Sequence, residues 1–216
     1  MAKNLLLISF LTVLILAGCS SPSAEYTLGS VILAEPFDNI KAWEFYEDAE
    51  ENIRLEVLDG VYQVQAGDIG YIWGLNDQEH SNVVMEVSAN QLSAFEDNAY
   101  GVMCRADTSN NGDGYYFLIS GDGYYSIAKG EGDDVNSIVD WTSSSAINKG
   151  TGKNTIRAVC IGDYLSLYVN YKFMADARDS TLASGYAGFV ANANTGGDVT
   201  VSFDDLTIWE ATLSTE

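Results

Sequence analysis

The sequence predicts an all-β chain, a sandwich or barrel of about ten short strands. Three observations carry this. Apolar and polar residues alternate along one short segment after another, the period of a half-buried strand. Clusters of Gly, Asn and Asp punctuate those segments about every 8–12 residues. No long segment repeats its apolar residues with helical period. The 20 Gly and 13 Tyr against only 2 Pro suit tight turns and pleated surfaces.

The elements follow in order. Residues 20 to 34 are small, Ser-rich and weakly patterned, and read as a tether with room for a first strand. From Glu35 the strands begin. Residues 55 to 64 alternate around an Asp59-Gly60 turn, and 83 to 87 alternate next. Strands are then expected at 99–106, 115–120, 124–129, 154–161, 164–169, 187–191 and 199–209. Asp122-Gly123 is a hairpin signal between two of them, because a two-residue loop favours positive φ at both positions. Gly162-Asp163 predicts the next tight turn. No internal repeat of fixed period is visible.

The first residues have a different character. Lys3 and the terminal amine precede an almost wholly apolar run from Leu5 to Leu16. That run is about a dozen residues, too short for a spanning helix, which needs about 20. It ends in Leu16-Ala17-Gly18-Cys19, followed by Ser20. This stretch resembles the lipobox of bacterial lipoproteins. The resemblance implies a signal peptide from Met1 to Gly18 that is cut away, a lipidated Cys19 holding the chain to a membrane, and an extracytoplasmic domain. An ordinary cleaved signal with a chance Cys is the alternative.

Removal of that signal would leave roughly 200 residues, one large β-domain with a proper core. The net charge is −21 for the full 216 residues and more negative without Lys3. Such a charge argues against nucleic acid and anionic lipid surfaces. Solubility outside the cell is its plain meaning; divalent-cation binding is the sharper one. Cys104 and Cys160 each share a strand face with apolar residues, Val102 for the first, Ile156 and Ala158 for the second. That parity suits a core-side disulfide in an oxidising compartment; two buried free thiols are the alternative.

Four pieces carry a wider resemblance: residues 97–105, residues 114–125, Asn154 to Arg157 with residues 162–170, and Phe203-Asp204-Asp205-Leu206-Thr207-Ile208. In this order and spacing, residues 35 to 212 resemble the concanavalin A-like (laminin G-like) jelly rolls of bacterial lipoproteins. They are also similar to 3-keto-disaccharide hydrolase-like domains. The resemblance implies a two-sheet antiparallel jelly-roll sandwich whose concave face and rim loops bind saccharides. Where such domains usually have Asn-Gly, this chain has Asn170-Tyr171. Tyr is poor at positive φ, so a longer or bulged hairpin is expected there.

No catalytic constellation stands out. Glycoside hydrolysis needs two carboxylates at fixed separation, and no Glu-x-Asp-x-x-Glu strand occurs. Glu44, Glu47, Asp48, Glu50 and Glu51 read as a solvated acidic loop. The single His80, in the polar stretch 76–81, reads as a surface residue. No His/Cys spacing suits zinc. Residues 107–112 imitate the start of an EF-hand loop, but its twelfth position is Leu118. A structural calcium between the first and last strands is the better candidate by analogy with jelly-roll modules, with Asp204, Asp205, Glu35 and Asp38 as ligands. For a saccharide, the candidates are the flat rings of Tyr71, Trp73, Tyr116, Tyr125 and Trp141. Arg105, on the face opposite Cys104, would act as a hydrogen-bonding fork. Aromatic rings are also what a sandwich core takes, and core is the commoner place for any one of them. The expectation is a non-catalytic domain binding a glycan or another extracellular ligand on its concave face. A 3-keto-disaccharide-type hydrolase, with acids clustered opposite Arg105, and a structural domain or one that binds a surface protein are the alternatives.

Overall fold

A computed structural model describes residues 21–39, 43–68, 70–132 and 134–214. The signal segment and Cys19 lie outside the described residues. Among the described residues, fifteen strands form two antiparallel sheets. The larger holds β1 (Tyr26–Glu35), β2 (Tyr46–Asp48), β3 (Ile53–Leu58), β4 (Val61–Ala66), β6 (Val83–Gln91), β11 (Asn154–Ile161), β12 (Tyr164–Val169), β13 (Lys172–Arg178) and β15 (Val199–Leu213). The smaller has the order β10 (Asp134–Ser143), β9 (Tyr124–Glu131), β8 (Gly114–Ile119), β7 (Ala99–Ala106), β14 (Gly185–Asn192) and β5 (Tyr71–His80). The expected two-sheet sandwich is the one that forms.

Strand alternation builds the core between the sheets. From β7 it takes Tyr100, Val102 and Cys104; from β8, Tyr115, Phe117 and Ile119; from β11, Ile156, Ala158 and Cys160. Cys104 and Cys160 are bonded to each other, so the disulfide crosses from sheet to sheet. A packed aromatic group of Phe37, Trp43, Tyr62 and Phe189 fills one side of the core, with ring centroids 4.8–6.2 Å apart.

Several segments differ from expectation. Within residues 20 to 34, expected as a tether with room for a first strand, β1 forms and runs on to Glu35, paired with β15 in the register Tyr26↔Leu213 to Glu35↔Leu206. Ladder bonds hold it together with Tyr26, Ile32 and Leu33, which pack on the core clusters, so the folded domain begins before residue 35. The acidic stretch contains β2, paired with β3. The polar stretch 76–81 is the end of β5, and His80 is buried there. Asp59 and Gly60 both take positive φ, as the hairpin requires. At the β12–β13 turn Asn170 (φ 50°) and Tyr171 (φ 63°) both adopt the left-handed region, and Tyr171 projects into solvent. The turn is therefore tight, and the expected irregularity lies inside β13, between the pairs Leu167↔Ala175 and Tyr168↔Phe173.

The ladders define two poles. One carries Gln91, Ala99, Tyr124 with Ser143, and Asn192 with Tyr71. The other carries Val83, Glu131 with Asp134, Ile161 with Tyr164, and Leu213 with Tyr26.

Candidate functional site

The outer face of the six-stranded sheet is set by the residues that alternate with the core. Ala99 and Met103 of β7, Tyr116 and Leu118 of β8, and Leu75 of β5 form a second buried layer. Tyr71, Trp73, Val135 and Tyr186 pack onto it. The middle of this face is filled, and Tyr71 divides what is open. Its ring stands edge-on to Tyr116, 5.6 Å between centroids and 72° between planes. Burial raises the pKa of both phenols, so both stay neutral.

On one side of Tyr71, at the pole carrying Asn192 and Tyr124, lies a depression of about 230 Å³. It is lined by Tyr71, Asp97, Asn98, Ser120, Asp122, Tyr124, Trp141 and Asn194. On the other side a larger hollow of about 490 Å³ includes Trp73, Tyr116, Gly112 and Asp134. The depression combines two exposed rings, Tyr124 (41%) and Trp141 (40%), with two carboxylates and two amides. The rings come from neighbouring strands, β9 and β10, which pair from Tyr124↔Ser143.

Its floor is a buried polar network. The Asn98 amide donates to Gln91 Oε1 (3.1 Å) and to the Phe95 carbonyl (2.5 Å), and its Oδ1 accepts from Gly121 N (3.0 Å). Gln91 Nε2 donates to the carbonyls of Ser93 and Phe95, both at 2.9 Å. Asp122 N donates to Glu96 O (3.0 Å), tying the β8–β9 loop to the segment before β7. The Ser120 hydroxyl donates to Asp122 Oδ1 and accepts from Tyr124 N. Asn194 Nδ2 donates to Asp97 Oδ1 (3.0 Å). Loops that would otherwise be mobile are thus fixed by side chains that water does not reach, and each carboxylate keeps a second oxygen free of these contacts. Among the described residues neither Asp97 nor Asp122 takes part in an ion pair.

The structure brings Tyr71, Trp73, Tyr116 and Trp141 to this face, with Tyr116 as a buried floor. Tyr125 is not among them. It packs against the core and its hydroxyl donates to the Met174 carbonyl of the opposite sheet (3.1 Å). Arg105 is the larger departure. Between Met103↔Gly188 and Ala106↔Tyr186, both Cys104 and Arg105 lie opposite the single Ala187, a bulge that breaks strict alternation. Arg105 takes φ 53° and is 2% exposed. Its guanidinium donates to the carbonyls of Ser81 (3.0 Å), Gly162 (2.7 Å) and Leu182 (2.8 Å). It locks three turns at the far pole and faces no acidic cluster of the depression.

The first and last strands do pair, and Glu35 stands opposite Leu206, beside the bulge at Asp204 and Asp205 where β15 passes from β4 to β1. The Glu35 carboxylate accepts from Phe37 N (2.8 Å) and Trp43 Nε1 (3.4 Å), and Asp204 Oδ1 accepts from Asp205 N (2.8 Å). Asp38 and Asp205 are exposed. Among the described residues no group of three or more His, Cys, Asp or Glu side chains gathers as metal ligands. In the 107–112 loop, Asp107 accepts from Ser109 N and Asn110 accepts from Trp73 Nε1, so the loop straps β5.

Tyr124, Asp97, Asp122 and Asn194 are not among the site candidates of the sequence, where Asp122 stands only as a turn residue. The signal available for Tyr124 was parity with Ser126, whose face the pairing of β8 and β9 turns outward.

No protein-family model matches this chain, and no curated protein does. Solved structures match it over most of its length. A carbohydrate-binding module from Bacillus subtilis aligns with TM-score 0.58 and 18% identity, covering 82% of this chain and 98% of that one. A Bacillus subtilis protein with a galectin-like fold aligns with TM-score 0.61 and 12% identity over 86% and 98%. A β-glucanase of Bacillus licheniformis aligns with TM-score 0.58 and 10% identity over 84% and 98%. The fold is a jelly roll. At these identities the likeness concerns the fold alone.

Proposed function

We propose that this chain is a glycan-binding domain, held on the outside of a bacterial envelope by a lipid on Cys19. The observation that carries the binding reading is the depression beside Tyr71. Exposed Tyr124 and Trp141 rings offer apolar faces, and Asp97, Asp122 and Asn194 offer hydrogen-bonding groups on a fixed floor. Few polar groups placed precisely against flat apolar surface is the make-up of a small-ligand site. Its location on a jelly-roll sheet, in a fold shared with a carbohydrate-binding module and a glucanase, supports the same reading.

Charge narrows the ligand. The net charge of −21 and two carboxylates without ion-pair partners disfavour uronic acids and sulfated sugars. The ligand class is an uncharged oligosaccharide. The test is a glycan array probed with the domain from Ser21 onward. Binding confined to neutral glycans, and lost in Trp141→Ala, is the expected result; preference for acidic glycans, or binding indifferent to Trp141, contradicts it.

A glycosidase-like activity is the second reading, favoured by Asp97 and Asp122 lining one depression. Release of sugar from a bound oligosaccharide, abolished in both Asp97→Asn and Asp122→Asn, would establish it. The anchoring reading rests on Leu16-Ala17-Gly18-Cys19. Cys19→Ala is expected to leave the protein soluble or unprocessed, read by fractionation.

A further inference from the structure

We infer that the domain stands upright on its membrane, with the depression at the pole facing away from the lipid. This rests on the anchoring reading for Cys19 and adds an orientation to it. The chain is already docked at Ser23. Ser23 N donates to Asp176 Oδ2 (2.5 Å), Glu25 O accepts from Ser214 N (2.9 Å), and Ala24 and Tyr26 pack against the cluster of Val84, Val159 and Tyr164. Pro22 lines the same hollow as Arg178 and Leu213. Free chain between Cys19 and Pro22 therefore spans at most about 11 Å, at about 3.6 Å per residue. A lipid on Cys19 must hold that pole close to the surface.

The depression lies at the other end. β15 runs from Val199, beside the Asn194 loop, to Leu213, beside the docked segment, over 15 residues. At about 3.3 Å per residue, less where the strand twists and bulges, the two ends lie roughly 40 Å apart. The tether is too short for the domain to roll over and present that end to its own membrane. Nor does charge pull the domain flat onto its membrane: the cations of the near pole are already paired, Arg178 with Asp163 (2.6 Å) and Lys129 with Glu131 (3.0 Å) and Asp179 (3.5 Å), so they form no basic patch for an anionic surface. The depression therefore meets glycans arriving from outside the cell, not headgroups of the anchoring membrane.

The experiment uses the processed, lipidated full-length protein in vesicles that carry an energy acceptor on the lipid headgroup. A donor dye is attached through Ser180→Cys at the near pole or Thr195→Cys at the far pole, with the native disulfide kept oxidised. Severalfold stronger transfer from position 180 than from 195 is expected. A Gly/Ser insert between Ser21 and Pro22 should shrink that difference. Equal transfer from both positions, or stronger transfer from 195, in protein that floats with the vesicles overturns the orientation alone. Protein that does not float overturns the anchoring reading and the orientation with it.

Discussion

The two poles of this sandwich treat polar groups in opposite ways. At the pole of Arg105, Nε and Nη1 of a buried cation satisfy three loop carbonyls. At the pole of Asp97 and Asp122, the buried amides of Asn98 and Gln91 satisfy the loops from below, and carboxylates and rings face outward. The first arrangement makes stability. The second makes a rigid surface with unused hydrogen-bonding capacity, which is what recognition needs. Substitutions at the two poles should therefore separate stability from binding.

The largest effect is expected from the disulfide next to Arg105. It links residues 56 apart, and its removal in Cys104→Ala with Cys160→Ala should cost about 2–4 kcal/mol, read from denaturant midpoints. Arg105→Met keeps the bulk but leaves buried carbonyls unpaired, and should cost about 3 kcal/mol. In both, the remaining folded protein should bind glycan with unchanged affinity. A fall in affinity at constant folded fraction would break the contrast between the poles.

A smaller effect concerns His80, also at the Arg105 pole. Asn76 Oδ1 accepts from Ala187 N (3.2 Å), which turns Asn76 Nδ2 toward His80 Nε2 (3.2 Å). The ring nitrogen is then an acceptor and the imidazole neutral. Burial lowers its pKa. The unfolded chain titrates near about pH 6.5 and the folded chain lower, so the unfolded state binds more protons between the two. The His80 contribution is complete above about pH 6.5 and is lost as pH falls through the folded value. Denaturant midpoints against pH should show a downward step that flattens in His80→Gln; an identical profile in that variant contradicts it.

How far the sequence could be read depended on whether alternation held. It held at Ala99 to Cys104, and the facing of Cys104 and Cys160 was legible from it. It failed one residue later. A bulge opposite Ala187 returned Arg105 to the inner side, and nothing in Cys104-Arg105-Ala106 announces that bulge. Asp204-Asp205 is a second case, where the bulge aims the carboxylates by a register shift no motif encodes. β1 and the end of β5 were hidden because edge and bridging strands are held by ladder bonds and carry little apolar periodicity. The aromatic candidates were legible as a class. Tyr125 and Trp141 could be told apart only by pairing, which sends one to the core and the other to the rim.

The central claim is that the Tyr124–Trp141 depression, and not the Arg105 pole, recognises an uncharged glycan. Calorimetric titration of one array-selected neutral oligosaccharide into wild type, Trp141→Ala and Arg105→Met tests it most directly. Trp141→Ala is expected to lose about tenfold or more in affinity, about 1.4 kcal/mol, with a denaturant midpoint near wild type. Folded Arg105→Met is expected to keep wild-type affinity. Wild-type affinity in Trp141→Ala, or weakened binding by folded Arg105→Met, would contradict it.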